Sequence, residues 1–388
     1  MPAVQPIRST MPQPDAAQRA VSDALRALIA HDIEAAGGWI GFDRYMQLAL
    51  YAPGLGYYAA GARKLGDSGE GGDFVTAPEI SPLFAQALAA QVAQIFERTA
   101  PRIVEFGAGS GRLARDLLQA LQQRGVRCDD YAIVEVSADL HERQQALLAG
   151  QPVSWLQAPP QGFDGVMIAN EVLDVMPVRL FVKRAGALGG CLERGVALRD
   201  GAFVFAERAA LPDLAAAVAD IETETGALPD GYASEVGFAA RAWMSSAADW
   251  LSRGALLAID YGFPRREYYH PQRLMGTIMC HYRHHAHADP FWLPGLNDLT
   301  AHVDFSAMAA AAHEGGLDVL GYTTQAHFLI NCGLLDQLQV APGGASSAAA
   351  QRLLSEAEMG ELFKVLAVGR GVDEPLPGFA RGDRRGRL

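Results

Sequence analysis

The chain is poor in cysteine, has no long apolar run and carries no surplus of positive charge. Its 388 residues include four cysteines, Cys128, Cys191, Cys280 and Cys332, spread out and without a Cys-x-x-Cys pair. That excludes a disulfide scaffold, offers no zinc pattern and fits a reducing compartment. No stretch approaches the roughly 20 apolar residues that span a bilayer. Acidic residues outnumber basic ones, 44 to 32, for a formal net charge of −12, so nucleic acid is not expected as a partner of the whole body. The first thirty residues lack an apolar signal core and mix Arg8, Arg19 and Arg26 with Asp15 and Asp23. A cytoplasmic protein is therefore expected. The terminal "RGDRRGRL" is one candidate for a local basic patch, and it reads as a solvated, mobile end. No internal repeat is present.

Half the residues are apolar, and the length allows one large domain or two ordinary ones. Pro-rich residues 1–14 are expected to be disordered. From there to residue 100 the region reads as helical: apolar residues at 21, 25, 28, 29 and 33 share one face, and "FDRYMQLALY" and "PLFAQALAAQVAQIFER" follow as helices. Between the last two lies a long Gly-rich stretch, residues 52–81, of a length that in a compact protein is disordered or functional.

Past residue 101 strands and helices alternate. "RIVEFG", "DYAIVEVS", "VSWLQ", "FDGVMIANE" and later "ALLAIDYGF" are short Val/Ile-rich runs with helices between them. That pattern predicts an α/β, Rossmann-like parallel sheet built from 101–178 and 251–335. Residues 179–250 interrupt it with an inserted antiparallel β meander, turning at Gly189-Gly190 and Asp200-Gly201, followed by helices. The segment "SEVGFAARAWMSSAADWLSRG" is expected as one helix, and "DFSAMAAAAHEGG" as another, capped by Asp304 or Ser306. Residues 336–388 remain as a C-terminal region with the basic tail.

The glycine loop "EFGAGSGR" narrows the ligand. A dinucleotide loop needs G-x-G-x-x-G; here Gly107, Gly109 and Gly111 give G-x-G-x-G, and Arg112 stands where the third dinucleotide glycine would be. No Gly-Lys-Ser/Thr follows for a triphosphate. The spacing, with Glu105 two residues earlier, resembles the first motif of class I S-adenosylmethionine methyltransferases. That cofactor has no pyrophosphate; it needs a flat turn where backbone lies against ribose and a methionine chain. Glu105 is placed to serve its ammonium, directly or through water. Glu135, with Val136 after it, ends the second strand, where an acid can accept both ribose hydroxyls.

The fourth strand ends in "ANEVLDVMPV". Adenine-methylating enzymes carry Asn/Asp-Pro-Pro-aromatic here, and this chain does not. It offers Asn170, Glu171 and, three residues on, Asp174. If helix begins after Asn170, residues 171 and 174 point the same way. Paired carboxylates suit a guanidinium, which stays protonated and has only donors. The plain alternative is that Glu171 caps a helix and Asp174 lies on the surface. "CHYRHHAHADP" is rich in histidine but matches no tight metal pattern, and His302 could reach the pocket.

Taken in order, "GDFVTAPEIS", "VEFGAGSGRLARDLL", "VEVS", "ANEVLDVMPV", "DYG" and "DLTAHVDF" resemble the MidA-like family, over about residues 35–335. That family includes a mitochondrial complex I assembly factor that methylates an arginine. The resemblance implies a class I methyltransferase fold and S-adenosylmethionine as donor, with S-adenosylhomocysteine as product. Asp73, Thr76, Pro78 and Glu79 match its N-terminal motif, which is expected to border cofactor and acceptor, with Asp73 and Glu79 as catalytic candidates beside Glu171 and Asp174. Residues 71–81 are expected to fold over the pocket with Phe74 inward. Gly107, Gly109, Gly111, Glu105, Glu135, Val136 and Asn170 are the cofactor candidates, and no metal is called for. The acceptor expected is an arginine on a protein partner. A small molecule, another protein group, or a non-catalytic assembly role stays open.

Overall fold

The computed structural model describes residues 11–60, 76–340, 344–372 and 375–388. They form two compact units, each assembled from separated stretches of chain. One unit holds residues 76–174, 239–268 and 302–388. Its sheet contains β1 (Arg102–Phe106), β2 (Asp130–Val134), β3 (Val153–Leu156), β4 (Phe163–Asn170), β5 (Leu251–Phe263), β6 (Asp318–Thr324) and β7 (Phe363–Arg370). Their order is β6-β7-β5-β4-β1-β2-β3. Strands β1 to β5 are mutually parallel, while β7 runs antiparallel to both β5 and β6. The order reverses between β1 and β4, so the connections leaving those two strands part at their carboxyl ends. A crevice at that switch point is where such sheets bind ligands.

The apolar runs explain the layering. Ile103, Val166, Ile168, Leu257, Ile259, Val365 and Ala367 are buried on one face. The helices Pro82–Phe96 and Arg112–Gln123 cover them. In the second helix Leu113, Leu117 and Leu121 make the inward stripe, and Gly125, at φ 69°, stops it.

The other unit holds the described residues up to 60 with 175–238 and 269–301. Strands Trp39–Gly41, Cys191–Arg199, Arg179–Lys183 and Ala233–Val236 form an antiparallel sheet, with Ala202–Ala209 hairpinned onto Cys191–Arg199. Asp200 and Gly201 close that hairpin with φ of 49° and 74°. The helix Ala16–Ala35 begins in a capping box between Asp15 and Gln18 and buries Leu25, Ile29 and Ile33.

Several sequence expectations change. Residues 15–60 belong with the meander, whereas the helix Pro82–Phe96 belongs with the parallel sheet, so the units cross the boundaries read from sequence texture. The run expected as one helix from 234 splits into a strand ending at Val236 and a helix Phe238–Trp250, and β5 starts at once with Leu251. Strand β7 lies in the C-terminal region and is inserted between β5 and β6.

The basic tail is tied down rather than mobile. Arg384 N donates to Tyr322 O (2.6 Å), Thr323 Oγ1 to Gly382 O (2.7 Å) and Arg385 Nη1 to Val319 O (3.0 Å), covering the open edge of β6. Arg384 also meets Glu361 with both terminal nitrogens, at 2.6 and 3.2 Å. Among the described residues no helix is long and apolar enough to cross a membrane.

Candidate functional site at the carboxyl ends of β1, β2 and β4

The glycine loop joins β1 to the helix Arg112–Gln123. Gly107, Gly109 and Gly111 all have positive φ (61°, 54°, 85°), a region that side chains with a β-carbon rarely enter. At 107 an added Cβ would also stand 3.3 Å from Val172 Cγ2, and at 111 it would meet Leu148 and Gln144. Gly107 N donates to Val134 O (3.0 Å), which ties the loop to the end of β2.

Glu105 is buried at 2% exposure under this loop, and the Tyr131 hydroxyl donates to its Oε2 at 2.7 Å. Burial pushes its carboxyl up to about 7 despite that hydrogen bond, and the Glu135 charge adds to the rise. A buried acid at the mouth of a loop whose ionisation costs energy is prepared for a cation.

Glu135 follows β2. Its Oε1 accepts from Ser137 N (2.8 Å) and its Oε2 from Gln144 Nε2 (2.9 Å). Burial raises its carboxyl, and these two donors oppose the rise. The same Gln144 amide donates to Gly109 O (2.9 Å), while Trp155 Nε1 donates to Gln144 Oε1 (2.9 Å). Gln144, fully buried, thus locks the glycine loop, Glu135 and β3 together. Sequence reasoning missed it; the signal was a glutamine four residues after Leu140 on the inward face of the helix Ala138–Leu147. Beside Glu135, Val136 is 80% exposed, an apolar side chain left uncovered at the strand end.

Glu79 sits in a short helix, Ala77–Ile80, with Thr76 at its N-cap and Pro78 buried. Its carboxylate meets Arg112 Nε at 3.2 Å and accepts from Ser110 Oγ, while Arg112 Nη1 donates to Glu79 O (3.3 Å). Glu79 thus braces the glycine loop, a contact that the sequence reading did not include. Asp73 and Phe74, with the rest of 61–75, lie outside the described residues.

The end of β4 differs from its sequence reading. No helix starts after Asn170: residues 171–176 form bends and a turn. Glu171 adopts φ 54° and its N–H donates to Ile259 O at 2.8 Å. A glutamate in that region costs about 1–2 kcal/mol. Asp174 is buried at 4% exposure, not on the surface. Asn170 Nδ2 lies 3.4 Å from Glu171 Oε1, and Asn170 Oδ1 is buried with no hydrogen-bond partner among the described residues.

Both Glu171 and Asp174 face a third carboxyl, Asp260 at the end of β5. Burial first, then the Asp174 and Glu171 charges, hold its pKa well above the usual carboxylate range. Asp260 escaped the sequence reading although it ends an apolar strand run as Glu135 does.

His302 packs edge to face on Tyr261 (5.1 Å between centroids) and against Phe263 (5.3 Å). The histidines at 281, 285 and 287 lie in a hairpin, where His287 Nε2 meets Asn297 Oδ1 at 3.1 Å. Among the described residues no group of His, Cys, Asp or Glu is arranged to hold a metal ion.

Comparison with known proteins places this geometry. Residues 87–323 match the family described as S-adenosyl-L-methionine-dependent methyltransferases. The mitochondrial protein arginine methyltransferase NDUFAF7 of Danio rerio is 30% identical over 377 residues, covering 86% of this chain and 84% of that protein. Its counterpart in Homo sapiens is 29% identical, covering 91% and 84%. A crystal structure of a Burkholderia thailandensis protein bound to S-adenosyl-homocysteine is 50% identical, covers 98% of this chain and all of its own, and superposes with a TM-score of 0.92.

Proposed function

Since the chain belongs to the S-adenosyl-L-methionine-dependent methyltransferases, we propose that it methylates an arginine side chain of a protein partner. The cofactor supplies an electrophilic methyl on a sulfonium. One guanidinium nitrogen forms the new carbon–nitrogen bond as the carbon–sulfur bond breaks; the thioether product leaves and the displaced proton passes to a carboxylate or to water.

The chain's residues fit that cofactor. Gly107, Gly109 and Gly111 give backbone close approach, the Glu105 carboxyl is poised for the ammonium, and Glu135 retains lone pairs for ribose hydroxyls. Val136 offers an apolar face to the adenine, and the unsatisfied Asn170 Oδ1 awaits a donor. Thr76 and Pro78, braced through Glu79 to the loop, border the same pocket in this reading; Asp73 stays a candidate from the resemblance alone.

The observation that carries the acceptor assignment is the acidic edge beyond β4. Glu171 and Asp174, backed by the buried Asp260, gather acidic groups at the end of β4, the edge that faces the transferred methyl in this reading. A cationic acceptor is attracted and held in plane by carboxylates, and positioning supplies much of the rate of a one-step displacement. The names of the curated relatives support the same class of acceptor.

Incubation with methyl-labelled cofactor and cell extract, followed by mass spectrometry of labelled proteins, tests the reading. One or two methyls on an arginine are expected, and Glu171→Gln is expected to bind S-adenosylhomocysteine normally while losing transfer. Label confined to a metabolite or to another side chain would overturn the arginine assignment.

A further inference from the structure

We propose that Asp260 is a positioning residue for methyl transfer: its carboxyl pins the turn at residues 171–174 so that Glu171 is held toward the acceptor. The inference rests on the arginine reading above and deepens it.

The register places Asp260 one residue beyond the last pair of the two strands, Ile259 with Asn170. There the chain leaving β4 hangs from β5 by three backbone N–H groups. Glu171 N donates to Ile259 O at 2.8 Å, and Leu173 N and Asp174 N converge on Asp260 Oδ2 at 2.9 and 3.3 Å. The other oxygen, Oδ1, accepts from Tyr261 N at 2.9 Å. The side chain is fully buried.

Two consequences follow from that geometry. First, φ 54° at Glu171 is a conformation that a residue with a β-carbon keeps only where its surroundings dictate it. Two successive N–H groups aimed at one carboxyl oxygen provide such a constraint, since relaxation of Glu171 to a right-handed shape would swing Leu173 and Asp174 N–H away from Asp260. Second, both oxygens of Asp260 accept, which an alanine or serine does not reproduce and an asparagine reproduces on one side only. The orientation of the Glu171 side chain is thus set from a neighbouring strand, by a residue that need not touch the acceptor.

The test uses the full chain and the variants Asp260→Ala, Asp260→Asn, Glu171→Gln and the double variant Asp260→Ala/Glu171→Gln. S-adenosylhomocysteine affinity is measured by calorimetry. Acceptor affinity is measured with acetyl-arginine amide on protein saturated with S-adenosylhomocysteine, and kcat from label incorporated into extract proteins. Asp260→Ala is expected to keep cofactor affinity within about twofold, lower kcat about 100-fold with KM for the cofactor unchanged, and weaken acetyl-arginine amide about tenfold. Asp260→Asn, which retains the oxygen facing Leu173 and Asp174, should fall between wild type and alanine.

Because Asp260 acts through the turn that carries Glu171, adding Asp260→Ala to Glu171→Gln should weaken acetyl-arginine amide by clearly less than the sum of the two single losses. Additive losses in the double variant, or full transfer by Asp260→Ala, would overturn the proposal. If Asp260→Ala does not fold, the asparagine variant decides, since equal acceptor affinity for it and wild type also overturns it. Wild-type protein that labels something other than arginine refutes the arginine reading instead, and the same cycle is then run on that acceptor.

Discussion

Glu105→Gln should make the cofactor-free protein more stable and the protein a poorer enzyme. The carboxyl is 2% exposed and its pKa stands at about 7, against an ordinary value of 4.5. A folded-state pKa raised above the unfolded one means that the acid stabilises the fold fully below about pH 4.5. That contribution is lost progressively as pH climbs to about 7, and above it the ionised group burdens the fold by about 3 kcal/mol. Glutamine keeps an oxygen for the Tyr131 hydroxyl and never ionises. Comparing the variant with wild type in urea denaturation at pH 5 and pH 8 cancels the packing difference between the two side chains. The stability advantage of the variant should grow by about 2.5 kcal/mol between those values.

Ligand binding should move the other way. Wild-type affinity for S-adenosylhomocysteine, followed by calorimetry, should rise as pH approaches 7 and the carboxylate forms to meet the ammonium. The variant should bind at least tenfold more weakly at pH 8 and show no such rise. An advantage that is equal at both pH values would refute the burial argument, and unchanged affinity would refute the assignment of Glu105 to the cofactor.

Other perturbations separate the parts of the site. Gln144→Ala strands the Trp155 indole N–H and removes a donor from Glu135, so S-adenosylhomocysteine affinity should fall about tenfold to 100-fold and stability by about 2–3 kcal/mol, read by calorimetry and thermal denaturation. Gly107→Ala combines a left-handed backbone with a 3.3 Å contact to Val172; a loss of about 1–2 kcal/mol with weakened cofactor binding is expected, and an alanine variant with wild-type melting temperature would contradict it. Removing residues 380–388 bares the edge of β6, and light scattering should then show larger species than the full chain forms at the same concentration.

What was legible in the sequence follows from how local its cause is. The strands β1, β2, β4 and β5 are apolar runs bounded by Gly, Asp or Asn, and the glycine loop is a short-range pattern, so both are read directly. Strand β7 carries the run "FKVLAVGR", yet its place between β5 and β6 depends on partners more than 100 residues away for β5 and about 45 for β6. The stretch "NEVLD" is as compatible with a helix as with a turn; β5 decides, because Ile259 O and Asp260 take the N–H groups a helix would have used. Gln144 and Asp260 are buried polar groups whose role lies in what they face, and that is a tertiary fact.

Arg112 shows how a departure from a pattern acquires a positive meaning. In the sequence it only excluded a dinucleotide, by occupying the place of a glycine that permits close helix–strand packing. In the structure the same side chain, with Ser110, grips Glu79 and so fastens the segment carrying Thr76 and Pro78 to the glycine loop. The Glu79 carboxylate is 7% exposed while the Arg112 side chain is 38% exposed, so the acid is the group that depends on the pair. Loss of the arginine leaves a carboxylate desolvated without its cation, whereas joint replacement of both leaves no charge behind. The expected asymmetry is that Arg112→Ala alone harms cofactor binding more than Arg112→Ala together with Glu79→Gln. If the double variant is instead the worse of the two, Glu79 acts on the ligands themselves, and its reading as a catalytic group returns.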